Sequence, residues 1–222
     1  LVNESGSSTL VAAYSNSMVN LNDKITLNIG INGQWFTYNN AWSVEPRAGI
    51  RYRFAPAQAL SLAYGLHSRL ERLNYYFIKD SQNQYINRKL GFTRAHHLVL
   101  GYDISPSEFT HFKVEAYFQQ LFDVPVMAGN SFSLINQQND WFFGGKLQNT
   151  GKGRNYGLDI TFEKYLSGGF YYMATASLFN SEYQGDDKVW RNTRYNRNFA
   201  LNFLTGKEWL LGKNKNHILN LN

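Results

Sequence analysis

Apolar side chains recur at every second position along most of this sequence. Such a chain can present the face of a strand but cannot build the stripe of a helix. From Ile25 to Trp35, one face collects Ile25, Leu27, Ile29, Ile31 and Trp35, and the other collects Thr26, Asn28, Asn32 and Gln34. Ile50, Tyr52 and Phe54 likewise oppose Arg51 and Arg53, and Leu60, Leu62, Tyr64 and Leu66 oppose Ser61, Ala63 and His67. Leu98, Leu100, Tyr102 and Ile104 oppose His97 and Asp103, while Phe112, Val114, Ala116 and Phe118 oppose His111, Lys113 and Glu115. Tyr156, Leu158, Ile160 and Phe162 oppose Asp159, Thr161 and Glu163, and Phe199, Leu201 and Phe203 oppose Asn198 and Asn202. The stretches from Leu10 to Met18 and from Phe170 to Phe179 are strand-like with less clearly sorted faces, and no segment reads as a helix. The fold class expected is all-β.

The connections alternate in length. Turn chemistry marks Asn22-Asp23-Lys24, Ala55-Pro56-Ala57-Gln58, Ser105-Pro106-Ser107-Glu108, Ser167-Gly168-Gly169 and the segment Gly212 to Asn216. Longer links fall between them, around Thr37 to Trp42, Glu71 to Thr93, Leu121 to Gly153 and Glu182 to Tyr195. Short turns at one end and long loops at the other are the pattern of an antiparallel up-and-down transmembrane β-barrel. A soluble sandwich or lipocalin-like barrel is the competing architecture. Two features favour the membrane. Only 17% of residues are charged, about one per strand on the polar faces. A charge facing lipid at mid-bilayer costs roughly 2–4 kcal/mol, so Arg51, Arg53, Lys113, Glu115, Asp159 and Glu163 must turn to a lumen. Aromatics also make up 16% of the chain and fall at strand ends, as Trp35, Phe36 and Tyr38, as Phe54, and as Phe170, Tyr171 and Tyr172, where interfacial girdles would sit. No apolar run is long enough for a transmembrane helix, and the negative mean hydropathy, −0.43, is what alternating strands average to. The absence of Cys removes disulfides, thiolate zinc sites and Cys nucleophiles.

Several stretches resemble one family. Glu45-Pro46-Arg47 followed by Gly49-Ile50-Arg51-Tyr52, then Leu62 to Ser68, His96 to Tyr102 and Glu115 to Leu121, are similar to the barrel of TonB-dependent outer-membrane receptors of Bacteroidetes-type bacteria. Gly151 to Leu158 and Asn202 to Glu208 extend the likeness over most of the chain from Ser43 onward. The resemblance implies a transporter that imports a scarce ligand through a barrel of about 22 strands, closed by a plug on which an inner-membrane TonB complex pulls. With about ten strands expected here, residues 1–222 read as part of the C-terminal half of such a barrel, without a plug. The chain opens with neither an initiator Met nor a signal segment and stops within an apparent strand, Ile218 to Leu221, so a piece of a longer product is expected. No cofactor is implied. Outer-membrane lipid, the plug, the TonB complex and a surface lipoprotein are the partners such a barrel would meet. Iron chelates, vitamins, glycans and peptides are the substrate classes.

With the short turns assigned to the periplasm, strand parity turns Glu45, Arg47, His67, Arg69 and His97 to the lumen near the outer rim. Two readings fit this constellation. It can contact the plug or an arriving ligand, with Arg holding carboxylates in two-pronged fashion, or it can pair inward charges among themselves. Arg51 and Arg53 are placed lower on the same wall. A metal held by His67 and His97 would need another ligand. In the outer loops, Tyr75, Tyr76, Phe77 and Tyr85, then Trp141, Phe142 and Phe143, and then Trp190 can stack on a ligand or pack the loops together.

Familiar catalytic signatures are missing. Gly151-Lys152-Gly153 lacks the spacing and the Ser/Thr of a P-loop, and neither a nucleophile elbow nor an H-E-x-x-H helix occurs. The net charge of +6 is spread along the chain without a cluster, which argues against nucleic acid and, in a lumen, favours anionic ligands or an acidic plug face. The alternatives to a transporter are a self-contained barrel enzyme such as an omptin-like protease, for which His97 lacks an Asp partner, and a soluble all-β binding module.

Overall fold

The computed structural model describes residues 8–137, 144–212, 214 and 216–222. One antiparallel sheet accounts for about two thirds of them. Its strands are β1 (Leu10–Asn20), β2 (Ile25–Phe36), β3 (Ala41–Ala55), β4 (Gln58–Arg69), β5 (Thr93–Ser107), β6 (Thr110–Val126), β7 (Gln148–Ser167), β8 (Phe170–Gln184), β9 (Trp190–Asn192), β10 (Phe199–Leu211) and β11 (His217–Leu221). Ten strands follow one another in chain order, each bonded to the next, and β9 folds back onto β8. β1 and β11 stand at the two ends of this path and do not pair with each other.

The register places whole rows of side chains on one face. Val19 pairs with Leu27, Leu27 with Ile50, Ile50 with Leu62, Leu62 with Leu100, Leu100 with Ala116, Ala116 with Leu158, Leu158 with Leu178 and Leu178 with Phe199. This apolar row crosses the sheet without interruption, and nothing covers it: Leu62 is 46%, Leu100 53% and Leu178 53% exposed. The neighbouring row, one residue along each strand, runs Thr26, Arg51, Ser61, Gly101, Glu115, Asp159 and Ser177. Because successive side chains alternate across the pleat, that polar row faces the other way. A soluble sheet would bury such an apolar face against a second layer; a continuous exposed apolar face far beyond a few hundred Å² needs hydrocarbon or a partner.

The buried apolar cluster consequently lies outside the sheet, at its loop end. Phe36, Tyr75, Tyr76, Ile78, Leu90, Phe92, Leu134 and Leu147 form it, all from loops or strand tips. Several sequence expectations are corrected here. Phe36 is not a girdle residue; it shares the lumenal face of β2 with Gln34 and is 1% exposed beneath the loops. Its neighbour Trp35 faces outward opposite Trp42 as expected of a girdle. A short helix, α1 (Leu73–Tyr76), and one turn of 3₁₀ helix (Leu134–Asn136) occur where none was expected. Both are too short for hydrophobic periodicity to register. The link expected from Leu121 to Gly153 is shorter, because β6 continues to Val126 and β7 begins at Gln148 around a bulge near Asp123, whose φ is +54°. Two-versus-one pairing at a bulge breaks the alternation that would have marked those residues as strand. The link from Glu182 to Tyr195 contains β9 for the same reason of brevity.

The turn end matches expectation more closely. Gly168 and Gly169 take φ of +61° and +74° between β7 and β8, and a Cβ on Gly169 would lie 2.4 Å from the Glu208 carbonyl oxygen. Only glycine is comfortable there. At the turn before β6 the strand persists through Ser107, leaving Glu108 and Phe109 as the turn residues.

Candidate functional site

On the lumenal wall near the loop end, β3, β4 and β5 bring together most of the residues singled out above. Arg47 pairs with Gly65 and Gly65 with His97, so one row carries a guanidinium and an imidazole with a glycine between. The His67 ring reaches back over the glycine: a Cβ on Gly65 would stand 2.7 Å from His67 Nε2, a side-chain tip that can swing aside. The His67 ring therefore lies back along the wall, 6.1 Å from the His97 ring, edge to face. Arg47, His67 and His97 line a shallow concavity of about 270 Å³ with Gly49, Ala63 and Val99.

Glu45 is the anchor. It is 2% exposed, and Asn32 donates to its Oε2 at 3.1 Å and Arg47 Nη2 to the same oxygen at 3.0 Å. Gln34 and the Ser68 hydroxyl donate to Oε1. Four donors around one buried carboxylate satisfy its oxygens, so Glu45 is used up structurally and offers nothing to a ligand. Arg47 keeps about half of its side chain exposed, 48%, and presents its remaining N–H groups to the lumen. Ser68 was not legible as part of this cluster, because parity assigns it to the outward face. The β3–β4 ladder ends at Arg47 and Gly65, and beyond it the Ser68 hydroxyl reaches Glu45 and Gln34.

Arg69 sits at the top of β4 with 68% of its side chain exposed, 4.0 Å from Glu71, and lines a second concavity together with His67 and Ser68. Lower on the wall, Arg51 holds Asp103 through Nη1 and Nη2, the former at 3.1 Å. His111 sits 3.2 Å from Glu163 and 3.9 Å from Asp103. Asp103 is thereby committed at the turn end, far from His97, as the sequence register expected. Arg53 is exposed beside the turn. Among the described residues no group of three metal-ligating side chains is found. A hydrogen-bonded lumenal ladder that the sequence did not reveal runs from Gln119 through Asn155 and Ser181 to Thr193, at 2.7, 2.7 and 2.9 Å. Isolated Asn, Gln and Ser residues carry no signal until the register aligns them.

The loop aromatics divide. Tyr75 and Tyr76 are 6% and 0% exposed in the loop cluster, where Tyr75 donates to Gln137 at 2.9 Å, so they pack loops together and present no face to a ligand. Burial raises the hydroxyl pKa of Tyr75 and pushes that of Tyr76 up to about 12, so both are neutral at any growth pH. Phe77 is partly buried between Tyr38 and Tyr85. Trp190 stacks on Arg154, 4.4 Å from its ring centre, and Arg154 shares the outward face of β7 with Tyr156 and Leu158. Trp190 thus belongs to the rim of the apolar band and not to the lumen. Trp141 lies outside the described residues. The 3₁₀ turn drops onto the lumenal wall, where a Cβ on Gly153 would meet Ile135 Cδ1 at 2.9 Å, and it roofs the space above His67.

No protein-family model matches the sequence, and no curated protein does. Solved structures do. The FrpB iron transporter from Neisseria meningitidis aligns with a TM-score of 0.64 at 15% identity, over 93% of this chain and 31% of that one. The alcaligin outer-membrane receptor FauA from Bordetella pertussis aligns at 0.61 and 13% identity, over 93% and 35%. The ferric-catecholate import receptor Fiu from Escherichia coli aligns at 0.65 and 11% identity, over 93% and 32%. The chain spans roughly a third of the length of each. An exposed apolar face, a polar lumenal wall and neighbours of this kind lead to one conclusion: this chain has the fold of one contiguous arc of the barrel of TonB-dependent outer-membrane receptors.

Proposed function

We propose that the chain is part of the barrel wall of an outer-membrane receptor that imports a scarce ligand, with its short turns in the periplasm and its long loops outside. The observation that carries this reading is the uncovered apolar row crossing nine strands, backed by a polar face that includes every charged residue of the adjoining row. Such a sheet is stable only where one face meets hydrocarbon and the other a water-filled or plugged interior. Residues 1–222 supply barrel and no plug; a plug domain, the TonB complex and a surface lipoprotein are the partners this role requires or allows. Arg47, His67 and His97 form the lumenal surface that meets the plug or the ligand, through carboxylate groups that match the exposed N–H donors of Arg47. An iron chelate is the first substrate class to test, since the similar structures are named for an iron transporter and for alcaligin and ferric-catecholate receptors. Deleting the gene should abolish growth when the ligand is limiting, and loss of the inner-membrane energy complex should do the same. Uptake that persists without that complex would overturn the proposal.

A further inference from the structure

A second concave site lies outside the lumenal cluster, where the β4–β5 loop meets the start of β7. It is a cavity of about 580 Å³ at the loop end. Three cations line it: Arg88, Lys89 and Lys146. None of the three has a carboxylate within salt-bridge distance among the described residues. The single acid in the lining, Asp80, already accepts the backbone N–H groups of Gln82 and Gln84 on Oδ1, each at 2.9 Å.

The walls are fixed before anything binds. Asn87, 1% exposed, donates to the Gly145 carbonyl at 2.9 Å and accepts from the Leu147 N–H at 2.8 Å. Asn149 accepts from the Gly91 N–H at 2.9 Å and donates to the Asp123 carbonyl at 2.7 Å. Asn39 donates to the carbonyls of Arg88 and Leu90 at 2.9 and 2.7 Å. The Arg88 guanidinium is further seated over the Tyr38 ring, 5.3 Å from its centre. Three buried or half-buried amides thus hold the backbone of both loops while three positive charges face one space. Three cations against the one carboxylate of Asp80 leave the lining with a net positive charge, which a bound anion would offset.

We propose that this cavity is an anion site that takes a ligand bearing two or more phosphate or carboxylate groups. Arg88 grips one group in two-pronged fashion, and Lys89 and Lys146 act as point charges on another. The anion comes either from solution or from the phosphorylated head groups of the surrounding leaflet.

The test is calorimetric titration of inorganic tripolyphosphate into the detergent-purified protein that carries this chain. Saturable binding that weakens with added salt is expected, and the double variant Lys89→Gln/Lys146→Gln should lose about tenfold or more in affinity through two missing charge-assisted contacts. Lys164→Gln and Lys207→Gln, at the turn end, should bind as the unmodified protein does. Gel mobility before and after heating reports that each variant is folded. Absence of saturable binding, or equal binding by the folded double variant, overturns the assignment. Repeating the titration in nanodiscs identifies the source. Loss of tripolyphosphate binding in discs containing lipid A, but not in phosphatidylcholine discs, assigns the site to head-group phosphates, and undiminished binding in both assigns it to a soluble polyanion.

Discussion

At the scale of single residues, the lumenal wall is organised by Glu45. Its four donors, from Asn32, Gln34, Arg47 and Ser68, come from three strands, so the carboxylate ties β2, β3 and β4 together beneath the loops. In Glu45→Gln one acceptor oxygen becomes an NH₂ that faces donors, and unfolding in urea should show a loss of about 1–3 kcal/mol. A midpoint unchanged from the parent would mean the four bonds are not formed together. Asp186 plays a comparable part in the outer loops. Its carboxylate accepts the Gly129 N–H at 2.6 Å and the Thr150 hydroxyl at 2.9 Å, and these bonds to the charged form hold its pKa below the ordinary 3.8. A carboxyl depressed in the folded state stabilises above its unfolded value and loses that contribution as pH falls through the folded one. The difference in melting temperature between the parent and Asp186→Asn should therefore be full at pH 7 and shrink below pH 3.8. A difference that stays constant into acid would refute the clamp. Neither residue's role was legible in the sequence beyond parity: Glu45 was placed on the correct face, but its burial and Ser68's participation depend on where the β3–β4 ladder stops.

At the scale of elements, parity in a strand decides the cost of a charge. Leu100 and Val99 are adjacent in β5 and face opposite ways, Leu100 in the apolar row and Val99 against the lumenal concavity. Leu100→Arg should destabilise the membrane-embedded protein by about 2–4 kcal/mol, and Val99→Arg by much less. Equal costs, measured by reversible unfolding in lipid vesicles, would mean the two faces see the same solvent. Close approach between strands sets a second limit. A Cβ on Gly157 in β7 would lie 2.4 Å from the Leu178 carbonyl oxygen and 2.8 Å from the Tyr117 hydroxyl. The backbone oxygen cannot yield, so Gly157→Ala should cost about 1–3 kcal/mol through overpacking and lower the yield of folded protein. Strand existence and facing were readable because one residue of slip would carry a whole apolar set to the wrong side. The bulge at Asp123, α1 and β9 were not, because each is shorter than the period needed to recognise it.

At the scale of the whole molecule, the sheet follows chain order and leaves β1 and β11 as its two edges. In a membrane an open edge exposes unpaired backbone groups at a cost of several kcal/mol each, so the proposed barrel role predicts that β1 and β11 are bonded to neighbouring strands. Hydrogen exchange of the intact protein in lipid should therefore be as slow in β1 as in β5; rapid exchange confined to β1 and β11 would show an edge left open. The sequence by itself determined the class of fold, the facing of the long strands other than β1 and β8, and the division into an apolar and a polar surface. It could do so because alternation along a strand is a local property that every strand must satisfy against the same two solvents. Only the tertiary structure decided that Glu45 is sealed by four donors and that Arg69 lies within reach of Glu71. It also decided that Tyr75 and Tyr76 are interior and that Arg88, Lys89 and Lys146 meet in one cavity. Those outcomes depend on register between strands and on how loops close over the rim, where the interactions join residues distant in sequence and leave no periodic mark.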